Sequence, residues 1–226
     1  PDTILRSYGV TMLITTLGTA TSLFFSSMAA YVMYRKDLKY RNGLAFFIYF
    51  TTLFNGGLAS YYITLSSTYH LKNTLWVLLF VPMFSAMNIL ILRNFIRGSI
   101  PESLCESAKI DGAGDFSIFI RIIIPLSKPA LASIGLFTAL GYWNDWWTPM
   151  MFVERQKLFP LQYVLYTIIS SVNVSSSVVQ NASSVIMPQE SLKLAMTVVS
   201  TGPILLAYPF VQKYFVKGIT LGSVKG

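Results

Sequence analysis

The sequence predicts an all-α integral membrane protein, and three observations carry that prediction. The chain has 226 residues, of which 54% are hydrophobic and only 12% are charged, whereas about 25% of the residues in an ordinary soluble domain are charged. Its apolar runs reach the roughly 20 residues that a helix needs to cross a bilayer. Its basic residues lie in the loops between those runs. That placement is typical of a chain oriented in a membrane and argues against a nucleic-acid surface.

Five stretches without charge predict five transmembrane helices, which cover residues 7–34, 42–71, 73–92, 129–144 and 194–212. The second stretch is longer than one crossing requires. Gly56-Gly57 near its middle predicts a kink or a break, although close packing between helices explains two adjacent small residues equally well. A short helix at the membrane surface is predicted over 160–171, between the last two spans.

The distribution of basic residues predicts the orientation of these helices. If the five spans alternate, the 35–41 loop, the 93–128 loop and the 213–226 tail lie on one side, with twelve of the seventeen basic residues. Because Lys and Arg favour the cytoplasmic side, we expect these segments and the C-terminus inside and the N-terminus outside. An outside N-terminus without a signal peptide predicts that a sixth span precedes Pro1 in the native protein.

The 93–128 loop has the most informative local pattern in the chain. Ser99 and Glu102 have the spacing of a capping box, with a proline in the first turn. Gly112 can adopt the left-handed conformation that ends a helix. Three apolar residues recur at intervals of four and are expected to share one face: Ile100, Leu104 and Ala108. The pattern predicts a helix over 100–110 that is too short to span the membrane and needs a groove on a soluble partner to bury its apolar face.

A second helix is predicted directly after this one. Asp115 is expected to cap it, and apolar residues follow at helical spacing. Pro125 and Pro129 then predict a kink where the chain re-enters the membrane, because proline removes a backbone donor. A short helix joined to a span by a bent, rigid connection can pass force from a soluble partner to the membrane domain.

These segments resemble the EAA loop of binding-protein-dependent ABC importer permeases. The resemblance is carried by Glu106-Ser107-Ala108, Asp111-Gly112-Ala113, Ile122, Pro125-Leu126 and Pro129. The flanking segments resemble the carbohydrate-uptake branch of maltose-permease type: Arg93-Asn94-Phe95, Ser99-Ile100-Pro101, Tyr142-Trp143-Asn144-Asp145-Trp146 and the closing run from Gly218 to Gly226. Ser107 and Ile124 depart from the motif, which has alanine at the first position and often leucine at the second.

The resemblance implies a type I ABC importer transmembrane domain over 1–226, acting as one permease subunit of an oligosaccharide importer in the bacterial cytoplasmic membrane. It implies that the 100–113 segment is the coupling helix, which docks on an ATP-binding subunit. The docking residues would be Glu102, Glu106, Ser107, Ala108, Asp111, Gly112 and Ala113. The 213–226 tail would contact the same subunit through Lys217, Gly218 and Lys225. An importer of the same type for another solute, such as a peptide, is the alternative.

The implied partners are a second homologous permease, two ATP-binding subunits, an extracytoplasmic solute-binding protein, the oligosaccharide and membrane lipid, with no nucleic acid. ATP and Mg²⁺ would be held by the partner subunits, because this chain has no P-loop motif. One histidine and one cysteine, Cys105, argue against a membrane enzyme and against a metal site. A channel would leave the polar helix over 100–110 unexplained.

Two interpretations are open for five residues of the predicted substrate path: Tyr142, Trp143, Asn144, Asp145 and Asn55. In the first, they line the translocation path, with aromatic faces against sugar rings and with the carboxylate and amides bonded to hydroxyl groups. In the second, the aromatic residues form an interfacial belt, Asp145 bonds to backbone at a helix end or to the partner permease, and Asn55 serves helix packing.

Overall fold

The computed structural model describes residues 2–179, 191, 194–195 and 197–202. Most of the fifth predicted span, 194–212, lies outside the described residues. So does the whole 213–226 tail with Lys217, Gly218 and Lys225. All regular structure in the described part is helical, in agreement with the predicted fold class.

Eleven α-helices follow one another over residues 2–179. They are α1 (Asp2–Tyr34), α2 (Arg41–Leu53), α3 (Leu58–Ile63), α4 (Leu75–Phe80), α5 (Ala86–Ser99), α6 (Glu102–Ile110), α7 (Asp115–Ile118), α8 (Ile124–Leu126), α9 (Lys128–Trp143), α10 (Trp147–Phe152) and α11 (Leu161–Val179). A π-helical turn extends α3 over Thr64–Thr68, a second joins α7 to α8 over Phe119–Ile123, and a 3₁₀ turn covers Gln156–Leu158. The helix predicted over 160–171 is α11, which is longer than expected.

Helix α1 alone is long and apolar enough to cross a membrane among the described residues. Its 33 residues correspond to about 50 Å at 1.5 Å per residue. Two pairs of helices also qualify if each bent pair is one span: Arg41–Leu53 with Leu58–Thr68, which meet at 115°, and Asp115–Leu126 with Lys128–Trp143, which meet at 80°. The described part therefore contains between one and three candidate spans.

The bend between α2 and α3 confirms the break predicted at Gly56-Gly57. Gly57 has a φ of +86°, a conformation that side chains other than glycine rarely adopt. The side chain of Asn55 fixes this turn, because its Oδ1 accepts a hydrogen bond from the Gly57 amide at 2.9 Å. The bend of 80° before α9 confirms the kink predicted from Pro125 and Pro129.

The continuous span predicted over 73–92 is wrong. The chain forms α4, then a turn through Pro82, then α5, because a proline inside a helix removes a hydrogen bond and obstructs the preceding turn. Helix α5 starts anew with its own cap, in which the Ser85 hydroxyl accepts from the Asn88 amide at 3.3 Å. Absence of charge marks this stretch as apolar, but it does not report whether the helix is continuous.

Helix α1 lies at the centre of the described fold and contacts α2, α4, α5, α9 and α11. Its contact with α9 is close at Gly18, where a Cβ would lie 2.4 Å from the ring of Tyr142. The largest buried cluster joins α1 to α5, α6, α9 and the π-helical turn after α7. In this cluster the ring of Phe119 stacks on Tyr31 with centroids 5.8 Å apart. The short polar helix α6 is therefore part of the main core, which it enters through Cys105.

Charged residues gather at two ends of the described fold. At one end, the 35–41 loop forms ion pairs with residues of α6 and α7. At the other, Lys72 pairs with Glu154 at 2.6 Å, and the Arg6 guanidinium lies 3.5 Å from the Gln156 carbonyl. This grouping agrees with the predicted alternation, which puts the 35–41 and 93–128 loops on the same side.

Candidate functional site

Two residues separate the end of α5 from the start of α6, and that start differs from the prediction. Ser99 is the last residue of α5, so it cannot cap α6, and the predicted capping box is wrong. The amide of Ile100 still bonds to the Ile96 carbonyl of α5 at 3.0 Å. Pro101 holds the N-cap position without a side-chain hydrogen bond. The short connection through Ile100 and Pro101 leaves little freedom between the two helices.

The end of α6 confirms the role predicted for Gly112, which has a φ of +81°. Its amide donates to the Lys109 carbonyl at 3.0 Å, and the amide of Ala113 donates to the Ala108 carbonyl at 2.9 Å. These two bonds form a Schellman motif, which satisfies carbonyl groups that the helix end would otherwise leave unpaired. The chain therefore turns sharply at Gly112 and enters α7.

The apolar face predicted to fill a partner's groove is divided in the structure, because Ile100 and Ala108 pack against the chain's own core and Leu104 does not. Ile100 is buried but precedes the helix, and Leu104 is 41% exposed. Cys105 is buried instead, with Ala108 three residues later packed against the same cluster. Burial raises the pKa of the Cys105 thiol, which is in keeping with a packing residue and not a reactive one.

The outward face of α6 combines carboxylates with apolar side chains. Glu106, Ser107 and Asp111 are exposed, and among the described residues neither carboxylate forms an ion pair. Ile110 is 85% exposed beside these charges. Helix α6 thus presents a mixed polar and apolar surface outward, while its opposite face is fixed in the core.

Four charged side chains, which we name the four-charge cluster, join the end of α6 to the loop after α1: Arg35, Asp37, Lys109 and Asp115. The Arg35 guanidinium donates from Nε to Asp37 Oδ1 at 2.9 Å, and its Nη1 lies 2.7 Å from Asp115 Oδ2. The Lys109 ammonium lies 2.7 Å from Asp37 Oδ2 and 3.8 Å from Asp115 Oδ1. Each cation contacts both carboxylates, so the cluster holds α6, α7 and the end of α1 together.

The electrostatics of the four-charge cluster follow from these contacts. Hydrogen bonds from Arg35 and Lys109 hold the pKa of the Asp37 carboxyl well below its usual range. Asp115 is the first residue of α7 and not its cap, which is Gly114. The predicted capping role is therefore wrong, and the carboxylate instead faces the Arg35 guanidinium.

A further ion pair, between Lys36 and Glu102, fixes the first turn of α6 to the same loop. The local sequence pattern does not reveal the contacts of Arg35 with Asp115, Lys36 with Glu102 and Lys109 with Asp37, each of which joins residues more than sixty positions apart. The useful signal was present, because the basic 35–41 loop and the charged 93–128 loop were predicted on one side. Opposite charges confined to one face of a membrane are natural partners.

The predicted substrate-path residues lie toward the other end of the fold, and two of them are internal. The Tyr142 hydroxyl donates to the Leu79 carbonyl at 2.6 Å, and the Trp143 indole donates to the Ser200 carbonyl at 3.0 Å. Both side chains are buried. In this structure they join helices and offer little surface to a ligand.

Asn144 and Asp145 lie in the turn between α9 and α10. Asp145 Oδ1 accepts from the Thr148 amide at 2.9 Å, the helix-end bond that the second interpretation predicts. Asn144 is exposed, and its Oδ1 accepts from Gln162 Nε2 at 3.1 Å. Asn55 belongs to the separate turn between α2 and α3.

A cavity of about 400 Å³ adjoins this turn. It is lined by Trp146, Gln162, Leu165, Tyr166, Ile169, Thr197 and Ser200. The Trp146 and Tyr166 rings stack with centroids 4.7 Å apart and an interplanar angle of 19°. Aromatic faces beside a carboxamide suit a ligand with an apolar face and hydrogen-bonding edges.

Gln162 and Tyr166 were not predicted as site residues. Tyr163 and Tyr166 are three residues apart and so share a face of α11, a signal that could have pointed to this wall of the cavity. No group of three or more His, Cys, Asp or Glu side chains suited to a metal ion occurs in the described part of the chain.

Comparisons with known proteins agree on one group. The sequence model described as "Binding-protein-dependent transport system inner membrane component" matches residues 6–221. The polygalacturonan/rhamnogalacturonan transport system permease protein YtcP of Bacillus subtilis (strain 168) is 42% identical over 226 residues, which cover 100% of this chain and 78% of the relative. Protein LplC of the same organism is 41% identical over 227 residues, with 99% and 75% covered.

More distant relatives extend the comparison. The arabinooligosaccharides transport system permease protein AraQ of Bacillus subtilis (strain 168) is 28% identical over 211 residues, which cover 92% of this chain and 69% of AraQ. A solved structure of a bacterial ABC transporter involved in the import of the acidic polysaccharide alginate contains a similar chain. The two align with a TM-score of 0.82 and 31% identity, over 95% of this chain and 76% of that one.

Proposed function

This chain belongs to the family of binding-protein-dependent transport system inner membrane components, and on that basis we propose that it is a permease subunit of an ATP-driven importer for oligosaccharides. The likeness to the alginate transporter confirms the type I importer fold that the sequence predicted. As a permease it is a non-catalytic membrane subunit of a transport system. We assign ATP and Mg²⁺ to partner subunits.

The substrate class is inferred from the relatives. Their names refer to polygalacturonan and rhamnogalacturonan, to arabinooligosaccharides and to alginate. These are all carbohydrates of several residues, which favours the oligosaccharide assignment over a peptide. Polygalacturonan and alginate carry carboxylates, so both acidic and neutral oligosaccharides belong in a test of this proposal.

The observation that carries the coupling proposal is the two-sided character of α6. Its inner face is fixed to the core through Cys105 and to the loop after α1 through the four-charge cluster. Its outer face, with Glu106 and Ile110, is free to meet a soluble partner. A force applied to the outer face would reach α1 through Arg35 and reach α9 through α7 and α8.

This geometry divides the predicted docking residues by role. We propose that Glu106, Ser107 and Asp111 contact the ATP-binding subunit from the exposed face. Gly112 and Ala113 form the turn, and Ala108 packs inward. Glu102 is paired with Lys36, so its role is to hold the helix in place. The 213–226 tail remains a proposed second contact with the same subunit.

The remaining partners follow from the family. We propose a second homologous permease, two ATP-binding subunits and an extracytoplasmic solute-binding protein, with the C-terminus in the cytoplasm. For the substrate path, Asn144 and Asp145 remain candidates together with the cavity beside Trp146, Gln162 and Tyr166. Tyr142, Trp143 and Asn55 are better suited to holding the walls of the path than to contacting sugar.

The coupling proposal is tested by reversing one exposed charge in the assembled transporter. Glu106→Lys is compared with Asp2→Lys, which makes the same change on an exposed residue of α1. Substrate-stimulated ATP hydrolysis and uptake are measured in proteoliposomes. We expect Glu106→Lys to weaken the affinity of the ATP-binding subunit for the permease about tenfold and to lower uptake. Asp2→Lys should leave this affinity and the uptake unchanged. Normal uptake by Glu106→Lys would contradict the docking surface.

The substrate proposal is tested separately with a panel of ligands. The transporter, with its native solute-binding protein, is assayed for stimulated ATP hydrolysis with acidic oligosaccharides, neutral oligosaccharides and peptides. We expect stimulation only by oligosaccharides. Stimulation by peptides alone would refute the substrate class without affecting the coupling proposal.

A further inference from the structure

A second cavity, of about 500 Å³, lies at the same end of the fold as the four-charge cluster. The end of α1, the start of α2, the last turns of α5 and the start of α6 form its walls. Four basic side chains line it, together with a single carboxylate: Lys36, Arg41, Arg93, Arg97 and Glu102. Neither the coupling surface nor the aromatic cavity beside Trp146 uses these arginines.

The three arginines of this cavity have no ion-pair partner among the described residues. The single carboxylate, that of Glu102, forms an ion pair with Lys36. The chain has nine Asp and Glu residues, of which only Glu190 lies outside the described part. Within the described residues, then, no carboxylate pairs with these three arginines, and guanidinium groups that line one cavity repel unless an anion is supplied.

The start of α2 adds to the positive potential of the cavity. Arg41 and Asn42 occupy its first turn, which contains no acidic residue. The N-terminus of a helix carries a partial positive charge and free amide donors, which favour an anion. The guanidinium group in turn suits phosphate oxygens, because its planar donors can form two parallel bonds.

An apolar track leads away from the cavity along α2. Asn42, Phe46 and Phe50 follow at intervals of four and so share one face of the helix, and Phe54 follows directly after the last residue of α2. The rings of Phe46 and Phe50 lie 6.1 Å apart, and those of Phe50 and Phe54 stack at 4.3 Å. All three phenylalanines are exposed, by 67%, 42% and 63% respectively. An exposed aromatic row on a candidate membrane span is suited to acyl chains.

From this juxtaposition we propose that the cavity binds the phosphate headgroup of an anionic phospholipid, with an acyl chain along the phenylalanines of α2. Basic pockets between helices on the cytoplasmic side are suited to such headgroups. The ligand would fill the space beside Lys36 and Glu102, and so contact the loop that holds the first turn of α6. An acidic surface of a partner protein has charge complementarity too, but it offers nothing for the aromatic row.

The experiment measures lipid binding to the purified full-length chain by native mass spectrometry in detergent. Phosphatidylglycerol is compared with phosphatidylcholine, which has the same acyl chains and no net charge. The variant Arg41→Gln/Arg93→Gln/Arg97→Gln is compared with Arg6→Gln/Arg155→Gln/Lys157→Gln, which removes equal charge at the other end. We expect the first variant to bind phosphatidylglycerol about a hundredfold more weakly and the control to bind it as the wild type does.

Two further arms separate the possible occupants. Inorganic phosphate is added as a competitor, and Phe50→Ala removes the central ring of the aromatic row. We expect phosphate not to displace phosphatidylglycerol at equal concentration, and Phe50→Ala to weaken lipid binding. Equal binding of the two lipids, displacement by phosphate, or equal affinity in both triple variants would overturn the proposal. Loss of the bound lipid when the ATP-binding subunits assemble would also overturn the proposal, because a surface of those subunits would then occupy the cavity.

Discussion

Replacement of Gly112 by alanine isolates the turn that ends α6. A Cβ at this position would meet nothing within 4 Å, so the substitution causes no clash. Its cost comes from the φ of +81°, because an L-residue in the left-handed conformation costs about 1–2 kcal/mol. Gly114 provides a matched control, since a Cβ there also meets nothing within 4 Å and its φ is −70°.

The two substitutions share their effect on the unfolded chain. Each removes a glycine and therefore lowers the entropy of the unfolded chain, an effect of about 0.4–1 kcal/mol. At the end of α6 the difference between Gly112→Ala and Gly114→Ala is then the left-handed cost, because Gly114 is the N-cap of α7 and alanine there weakens the start of that helix instead. For a local opening of the last turn of α6, about 1–2 kcal/mol corresponds to hydrogen exchange that is roughly 5 to 30 times faster.

The assay is amide hydrogen exchange, measured by mass spectrometry on peptides that cover 102–113 in the detergent-solubilised chain. We expect faster exchange in Gly112→Ala, above all at Gly112 and Ala113, whose amides form the Schellman bonds. Gly114→Ala is expected to exchange as slowly as the wild type or more slowly. Equal exchange in the two variants would refute the argument that the left-handed turn stabilises the end of α6.

Three other substitutions test the packing and the electrostatics. Gly18→Ala puts a Cβ 2.4 Å from the Tyr142 ring and should cost about 1–3 kcal/mol by overpacking. Gly9→Ala, which lies in the same helix and meets nothing within 4 Å, should raise the unfolding temperature slightly, because alanine is the better helix former. Tyr142→Phe leaves a buried carbonyl without its donor at 2.6 Å and should cost about 1–3 kcal/mol in the same thermal assay; no loss would mean that water replaces the hydroxyl. Asp37→Asn tests the lowered pKa of Asp37: the wild-type carboxylate stabilises the fold above its ordinary pKa of 3.8 and loses that contribution as pH falls through the lowered value. The wild type should therefore exceed Asp37→Asn in stability by a small, constant amount from pH 7 to 5. This difference should be under about 1 kcal/mol, because Asp37 is 46% exposed, and it should disappear in stronger acid. A difference that grows in acid would contradict the ion pair.

The features predicted well from the sequence depend on single residues or on long runs. Gly112 and Gly57 both adopt the positive φ that favours glycine, and the apolar run of α1 is a helix throughout. The predicted kink before α9 rests on prolines, whose effect on the backbone is local. Such signals need no knowledge of the tertiary structure.

The features predicted poorly depend on what lies beside them. Ser99 has the right spacing to cap α6, but α5 extends through it, and a local pattern cannot show where the preceding helix ends. Pro82 interrupts a stretch that was treated as one span because it has no charge. The contact between Lys109 and Asp37 joins residues 72 positions apart, so only the folded arrangement of α1, α6 and α7 reveals it.

Helix α1 has a mechanical consequence of its own. It is continuous over 33 residues, and its length of about 50 Å exceeds the hydrocarbon thickness by roughly 20 Å. Arg35 anchors one end beside Asp115, while Arg6 near the other end reaches Gln156. A tilt of about 5° at the Arg35 end would swing the distant end by roughly 4 Å over that length. An unbroken rod of this kind couples the two faces of the membrane geometrically, with no joint along α1 to absorb the movement.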